Sequence, residues 1–495
     1  MKRLANLIVL VVVFPVVFLG ASSSVTGQSV TGQSVAQHPR VKQTLNLLQV
    51  WLDAQRAYQQ IPGVSAAVVY DQQLLWSAGF GYADVSRKTP ATPSTIYSIC
   101  SISKLFTSIG VMQLRDEGKL RIDDPVARYI PWFKIKRSDP LGPEITIEGL
   151  LTHSSGLPRE SDFPYWTGPE FAFPTREQVK ERLASQETLY PAETYFQYSN
   201  LGLTLAGELI ASVSGEPYEA YVGKRILQPL GLKSTTPEIP EKERGGRLAT
   251  GYSALLRDGT RVPVPFFMAR GIAPAAGYAS SAEDLARFAS WQFRVLERKG
   301  GEEVLRSNTL REMHRVHWVD PDLETMWGLG FSVSKSEGKV FVGHGGSCPG
   351  FRTQLLLKPD EKLATIFMAN AQGVNTGEFV QQMYNIVAPA IKAAGKPTTN
   401  ETGQPQANLP RYTGTYESGF GGEIAIVEWE DGLATLSLPT MEPVRGLTKL
   451  RKVGEHTFRR IRKDEALGET MVFELGREGQ VVRMIWNSNQ YRRVR

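Results

Sequence analysis

A chain of 495 residues is too long for one ordinary core, so two or three domains are expected. With 41% hydrophobic and 21% charged residues it has the make-up of a globular protein, which excludes a disordered or fibrous one. The formal charge of +6 is spread among acidic residues, with no Lys/Arg run or aromatic–basic stripe, so a nucleic-acid groove is not expected.

Lys2 and Arg3 precede an apolar run from Leu4 to Leu19, and Gly20, Ala21 and Ser22 follow it. A positive start, a short apolar segment and a small-residue exit are what a secretory signal peptide requires. Residues 1–23 are therefore expected to direct the protein to the periplasm or out of the cell, with an uncleaved anchor as the alternative. The run is short for a membrane span, which needs about 20 apolar residues, so no stable span is expected after cleavage. Residues 24–40, which begin SVTGQSVTGQSVAQ, have little to bury and predict a disordered tether.

A first domain is expected over 41–394. Val41, Leu45, Leu48 and Leu52 follow helical spacing, and Ile61-Pro62-Gly63 stops that helix. Two apolar, β-prone runs, 64–70 and 74–81, predict a hairpin. From Ser101 the pattern turns helical, with Leu105, Ile109 and Met112 on one face, ending near Gly118. A helical, loop-rich middle follows, with helices expected over 176–185, 201–212 and 282–296. Strands return at 328–334, 339–343, 351–357 and 363–368, before a helix at 376–388 that Pro389 should stop or kink. Strands at both ends of a helical insert imply one sheet built from the two termini, an α+β arrangement. Residues 395–409 are polar and breaker-rich, a linker across which few contacts are expected. Residues 410–495 alternate as short strands (422–427, 433–438, 457–461, 471–475, 481–486), a small all-β barrel or sandwich.

Three short motifs carry the chemistry. In Ser101-Ile-Ser-Lys104 the helical spacing puts the Lys ammonium within reach of the Ser hydroxyl. A desolvated lysine has a lowered pKa and can take that proton. Two further matches, Ser332–Lys335 and Ser336–Lys339, fall in a strand and a turn, where this spacing does not align side chains. Tyr198-Ser-Asn200 offers a phenol that a neighbouring cation could ionise, and an amide able to meet a substrate amide or to cap the helix that follows. In His344-Gly-Gly-Ser347, glycines such as Gly346 would admit a ligand close to a strand. No His/Cys/Asp/Glu grouping has metal-ligand spacing, so neither a metal nor another cofactor is expected. His314 and His317 are expected on a solvent-facing helix, and Tyr165-Trp166 either line the cleft or pack a loop.

Ser101-x-x-Lys104, Tyr198-x-Asn200 and His344-Gly-Gly, in that order, resemble the three motifs of the serine β-lactamase/penicillin-binding-protein family, in particular class C β-lactamases and DD-peptidases. The segments 145–158, 118–125 and 281–288 resemble the family as well, so the likeness covers about 60–390. The resemblance implies a β-lactamase-like antiparallel sheet with a helical region, and a catalytic set of Ser101 as acylated nucleophile with Lys104 and Tyr198 moving protons. It implies substrate binding by Asn200, His344, Gly346 and Ser347, and an oxyanion hole from the backbone N–H groups of Ser101 and Ser347. True class C enzymes have lysine where this chain has His344, which puts efficient β-lactam hydrolysis in doubt and makes the chain more similar to D-amino-acid peptidases and esterases. His153 belongs to a stretch the family treats as structural. Residues 410–495 resemble, more loosely, the lipocalin-like module carried by some of those peptidases, through Tyr412-Thr-Gly-Thr-Tyr416.

If the N–H groups of Ser101 and Ser347 meet at one oxyanion, Cys100 and Cys348 are neighbours and are expected to form a disulfide, with two packed buried thiols as the alternative; the arrangement resembles that of certain class A carbapenemases. The expectation is a serine hydrolase that cleaves a small amide or peptide, with D-residue peptides one option, through a Ser101 acyl-enzyme. Carboxylic esterase and weak β-lactamase are the alternatives, and a non-catalytic penicillin-binding or scaffold protein is the rival of another class. The partner is a small-molecule or peptide substrate; the oligomeric state is not legible.

Overall fold

A computed structural model describes residues 32–298, 302–395 and 409–495. The expected signal segment, residues 24–31 of the expected tether and residues 396–408 of the linker lie outside the described residues. The rest of the tether is helical: Gly32–Gln37 form one helix and Pro39 opens the next, α1 (Pro39–Tyr58). Val35 and Val41 are buried, and proline at the first helical position sacrifices no hydrogen bond, so this stretch has both an anchor and a start signal. No helix among the described residues is long and apolar enough to cross a membrane.

The hairpin is β1 (Gly63–Tyr70) and β2 (Gln73–Asp84), turning at Asp71 with φ of 55°. Successive side chains of a strand point to opposite faces. Val64, Ala66 and Val68 accordingly enter one core while Ala67 and Val69 enter the other. A strand apolar on both faces sits inside its sheet. The returning strands are β3 (Ser332–Ser336), β4 (Lys339–Cys348), β5 (Phe351–Lys358) and β6 (Leu363–Ala369). β6 pairs directly with β1, from Val64 opposite Ala369 to Tyr70 opposite Leu363, so both ends of the domain build one antiparallel sheet. Its order is β2-β1-β6-β5-β4-β3, extended by Thr89–Pro90 on one edge and by Met326–Trp327 and Trp318–Val319 on the other.

One face carries the helical insert, with α2 (Ser103–Asp116), α3 (Ile147–Thr152), α4 (Asn200–Ser214) and α5 (Ala282–Glu297). α2 is buried on every side over its first ten residues, where the apolar spacing predicted a one-sided helix. α1 and α6 (Thr376–Ala394) cover the other face. α6 runs past Pro389 to Ala394, beyond its expected stop. Burial of Ala390 and Ile391 offsets the hydrogen bond that proline removes.

The C-terminal segment closes into an eight-stranded antiparallel barrel, Gly414–Glu417 through Asn489–Arg493. Three strands that the alternation did not predict, Gly414–Glu417, Thr448–Lys452 and Asn489–Arg493, are short, and the last two are rich in polar and basic residues, so the apolar pattern is faint. Tyr416, Ile426, Phe458, Phe473 and Met484 fill the interior. The expectation of few contacts across the linker is overturned: Ala425, Val427, Ala434 and Leu436, on the barrel's outer face, join the core formed with α1 and α6. The architecture is a β-lactamase-like α+β fold with a closed barrel packed on its helical back.

Candidate active site

The end of β4 and the helical insert meet at Ser101. Cys100–Ile102 form a 3-10 turn that leads into α2, so Ser101 precedes the α-helix proper. Cys100 holds φ at 49°, a left-handed backbone costly for a non-glycine residue and often kept at functional sites. Ser332–Lys335 lies along β3, and Ser336–Lys339 spans the turn into β4.

Lys104 is fully buried on α2, with Nζ 3.2 Å from Ser101 Oγ. It donates to Asn200 Oδ1 at 2.7 Å and to the carbonyl of Ala275 at 2.8 Å. Burial holds its pKa well below the usual lysine value; Glu160 opposes this shift and Arg159 reinforces it. The two fixed acceptors, Asn200 Oδ1 and the Ala275 carbonyl, hold Nζ beside Ser101 Oγ.

The Tyr198 hydroxyl interacts with Ser101, and its ring lies 4.8 Å from Lys104 Nζ. The sequence suggested that a nearby cation would favour phenolate. Burial outweighs the lowering by Ser101 and Arg159, so the phenol pKa rises and the hydroxyl keeps its proton. Asn200 opens α4, but the cap is Ser199, whose Oγ accepts from Gly202 N at 2.9 Å. The Asn200 amide is engaged at both ends, since Nδ2 donates to Glu160 Oε1 and Oε2 at 2.8 and 3.0 Å. The substrate amide that the resemblance assigned to Asn200 thus has to share it with Lys104 and Glu160.

His344 is only 3% exposed. It stands behind Tyr198 and Trp327, with ring centroids 6.2 and 5.5 Å away, and it is not on the cleft wall. Its Nδ1 is 2.6 Å from the carbonyl of Gly345, an acceptor, so Nδ1 carries the proton; Nε2 has no partner among the described residues. Burial first, then Lys104, push its pKa down to about 3, so the ring is neutral. Gly346 also has a packing role: a Cβ there would stand 2.3 Å from the carbonyl oxygen of Ile99, so only glycine lets β4 come this close to the Ser101 turn. Ser347 lies with Ser101 on the wall of a cleft of about 470 Å³. Cys100 and Cys348 form a pair with Cα atoms 5.7 Å apart, between the Ser101 turn and the end of β4.

His153 caps α3 with φ of 61°, accepts from Ser199 N at 3.1 Å and packs its ring 4.3 Å from that of Tyr198. It supports Tyr198 from behind. Trp166 lines the cleft, whereas Tyr165 is buried and donates to Glu160. His314 and His317 are partnered instead of solvent-facing, 2.9 Å from Gln292 Oε1 and 2.8 Å from Glu148 Oε1 respectively. Arg159 and Glu160 went unrecognised in the sequence. They line the cleft, and Arg159 Cζ lies 4.9 Å from the Tyr198 ring centroid. Their only signal was position, directly after the family-like Leu157-Pro158.

Comparison with known proteins bears on the family and the fold. The chain is 27% identical over 329 residues to Protein flp of Staphylococcus aureus (strain MW2), covering 65% of this chain and 62% of that protein. It is 27% identical over 332 residues to Beta-lactamase-like protein 2 of Dictyostelium discoideum, covering 66% and 59%. The chain thus spans about three fifths of the length of these curated relatives. Among solved structures it is similar to the octameric penicillin-binding protein homologue from Pyrococcus abyssi, with a TM-score of 0.61, 25% identity and 90% and 99% coverage of the two chains. A D-stereospecific amidohydrolase from Streptomyces sp. is similar with a TM-score of 0.57 and 25% identity, over 68% of this chain and 97% of that one. The Beta-lactamase family profile matches residues 48–388, so the chain belongs to the Beta-lactamase family, whose members are generally serine hydrolases.

Proposed function

We propose that the protein is a serine hydrolase that cleaves a small amide, peptide or ester bond through an acyl-enzyme on Ser101. The observation that carries this reading is the desolvated Lys104 Nζ 3.2 Å from Ser101 Oγ, supported by the interaction of the Tyr198 hydroxyl with Ser101. Lys104 takes the Ser101 proton as Oγ bonds to the carbonyl carbon of the substrate. The N–H groups of Ser101 and Ser347 receive the oxyanion. Tyr198 protonates the leaving group as its bond to carbon breaks and regains a proton from Lys104; a water then repeats the sequence to release the acid. Peptides containing D-residues are the first substrate choice, supported by the likeness to the D-stereospecific amidohydrolase. Esters come next. β-Lactams rank last, because position 344, where class C enzymes carry lysine, holds a neutral, buried histidine.

Treatment with a fluorophosphonate followed by peptide mapping tests the proposal. The expected adduct is on Ser101 alone, and Ser101→Ala loses activity toward D-amino-acid amides and p-nitrophenyl esters. Full activity in Ser101→Ala, or an adduct on Ser332 or Ser336, would overturn it.

A further inference from the structure

We infer that Arg159 is the fixed cation of this cleft and binds an anionic group, a carboxylate, on the substrate. The inference rests on the reading of Ser101 as nucleophile.

Residue 344 cannot do this work, since its ring is buried behind Tyr198. Lys104 is fully buried and committed to Asn200, Ala275 and Ser101. Arg159 is the one remaining cation among the described residues that line the cleft with Ser101. Its side chain is 59% exposed, and its guanidinium carbon lies 4.9 Å from the Tyr198 ring centroid, a cation–π contact that places the charge over Tyr198.

The neighbouring acid does not use up this cation. Glu160 accepts from Asn200 on both oxygens and from the Tyr165 hydroxyl. Its approach to Arg159 is through Nε, at 3.3 Å. Among the described residues neither Nη atom of Arg159 makes a hydrogen bond, which leaves two donors of a planar fork for a carboxylate. Trp166 and Phe171 stand on the same wall and offer apolar surface to the chain linking that carboxylate to the scissile carbonyl. The fold thus presents its positive charge on the loop after α3, at 159, and not on β4, at 344.

Two measurements test this. The first compares kcat/KM for the mono-p-nitrophenyl ester of adipic acid with that for its terminal amide, which has the same length and no charge. The wild type is expected to prefer the carboxylate about 10- to 100-fold, the range that charge-assisted hydrogen bonds allow. Arg159→Gln should abolish the preference and Arg159→Lys should retain part of it. The second titrates adipate into the Ser101→Ala protein by calorimetry, where no turnover is needed. Adding Arg159→Gln should weaken that binding at least about tenfold. Hydrolysis of both esters with no preference, or a preference unchanged in Arg159→Gln, overturns the inference while leaving the hydrolase reading intact. Hydrolysis of neither ester counts against the hydrolase reading. In that event the titration decides Arg159 by itself: no binding, or equal binding with Arg159→Gln, overturns it.

Discussion

The indole N–H of Trp51, on the first long helix, donates to the carbonyl of Thr440 in the barrel at 2.8 Å, and Gln55 donates to the same oxygen at 2.6 Å. Around this link Ala425, Val427, Ala434 and Leu436 pack into the core behind the sheet, and Arg495 forms an ion pair with Asp53. Removing residues 409–495 would expose that apolar face. The truncated protein is expected to melt lower than the full chain and to aggregate on warming. Thermal unfolding with light scattering measures this, and an unchanged Tm would show that the shared core adds nothing.

Lys104→Ala and Tyr198→Phe are each expected to lower kcat by about 10²- to 10⁴-fold, the usual yield of general acid–base catalysis. The two should differ in stability. Removing Lys104 leaves Asn200 Oδ1 and the Ala275 carbonyl without their buried donor, a loss of about 1–3 kcal/mol. Tyr198→Phe removes one hydroxyl beside Ser101 and should unfold close to wild type. Single-turnover kinetics and urea titrations on both variants separate the two effects, and two variants that keep more than about a tenth of the wild-type rate would refute the assignment.

His344 should make the fold acid-sensitive. Its pKa falls from 6.5 to about 3 on folding, through burial first and Lys104 second. The unfolded chain therefore takes up a proton at pH values where the folded one does not. The stability from neutral His344 is full above about pH 6.5 and is lost progressively as pH falls toward 3. His344→Gln cannot take up that proton, so its stability should fall less between pH 7 and pH 4.5. Equal losses in urea unfolding at the two pH values would exclude His344 as the sensor.

Cys100 and Cys348, 248 residues apart in sequence with Cα atoms 5.7 Å apart, are expected to form a disulfide in an oxidising compartment. Closing so long a loop should stabilise the fold by about 2–4 kcal/mol, mainly by restricting the unfolded chain. Peptide mass spectrometry without reductant should recover 100 and 348 in one linked species. Alkylation of both thiols in unreduced protein would dispose of the bridge, leaving two packed thiols.

Much of this protein was legible in one dimension. The helical apolar pattern after Ser101 distinguished Ser101–Lys104, which enters a helix, from Ser332–Lys335, which lies on a strand, because three residues bring side chains together only on a helix. Strands expected on both sides of a helical insert pair as a single sheet, since apolar runs such as 64–70 and 363–368 must be buried on both faces. What tertiary structure decided is everything that depends on burial and on contacts between distant segments. Asn200 reads as a helix cap, yet Ser199 makes the cap while Glu160 and Lys104 occupy the Asn200 amide. His344 reads as a residue facing the substrate, yet it is a desolvated neutral ring behind Tyr198. Arg159 carries no motif at all, and becomes the cleft's cation only because its loop folds over Tyr198. Local pattern determines which segments are helix or strand through short-range sterics, whereas charge state and accessibility are set by how much water the rest of the chain displaces, and a linear sequence does not contain that quantity.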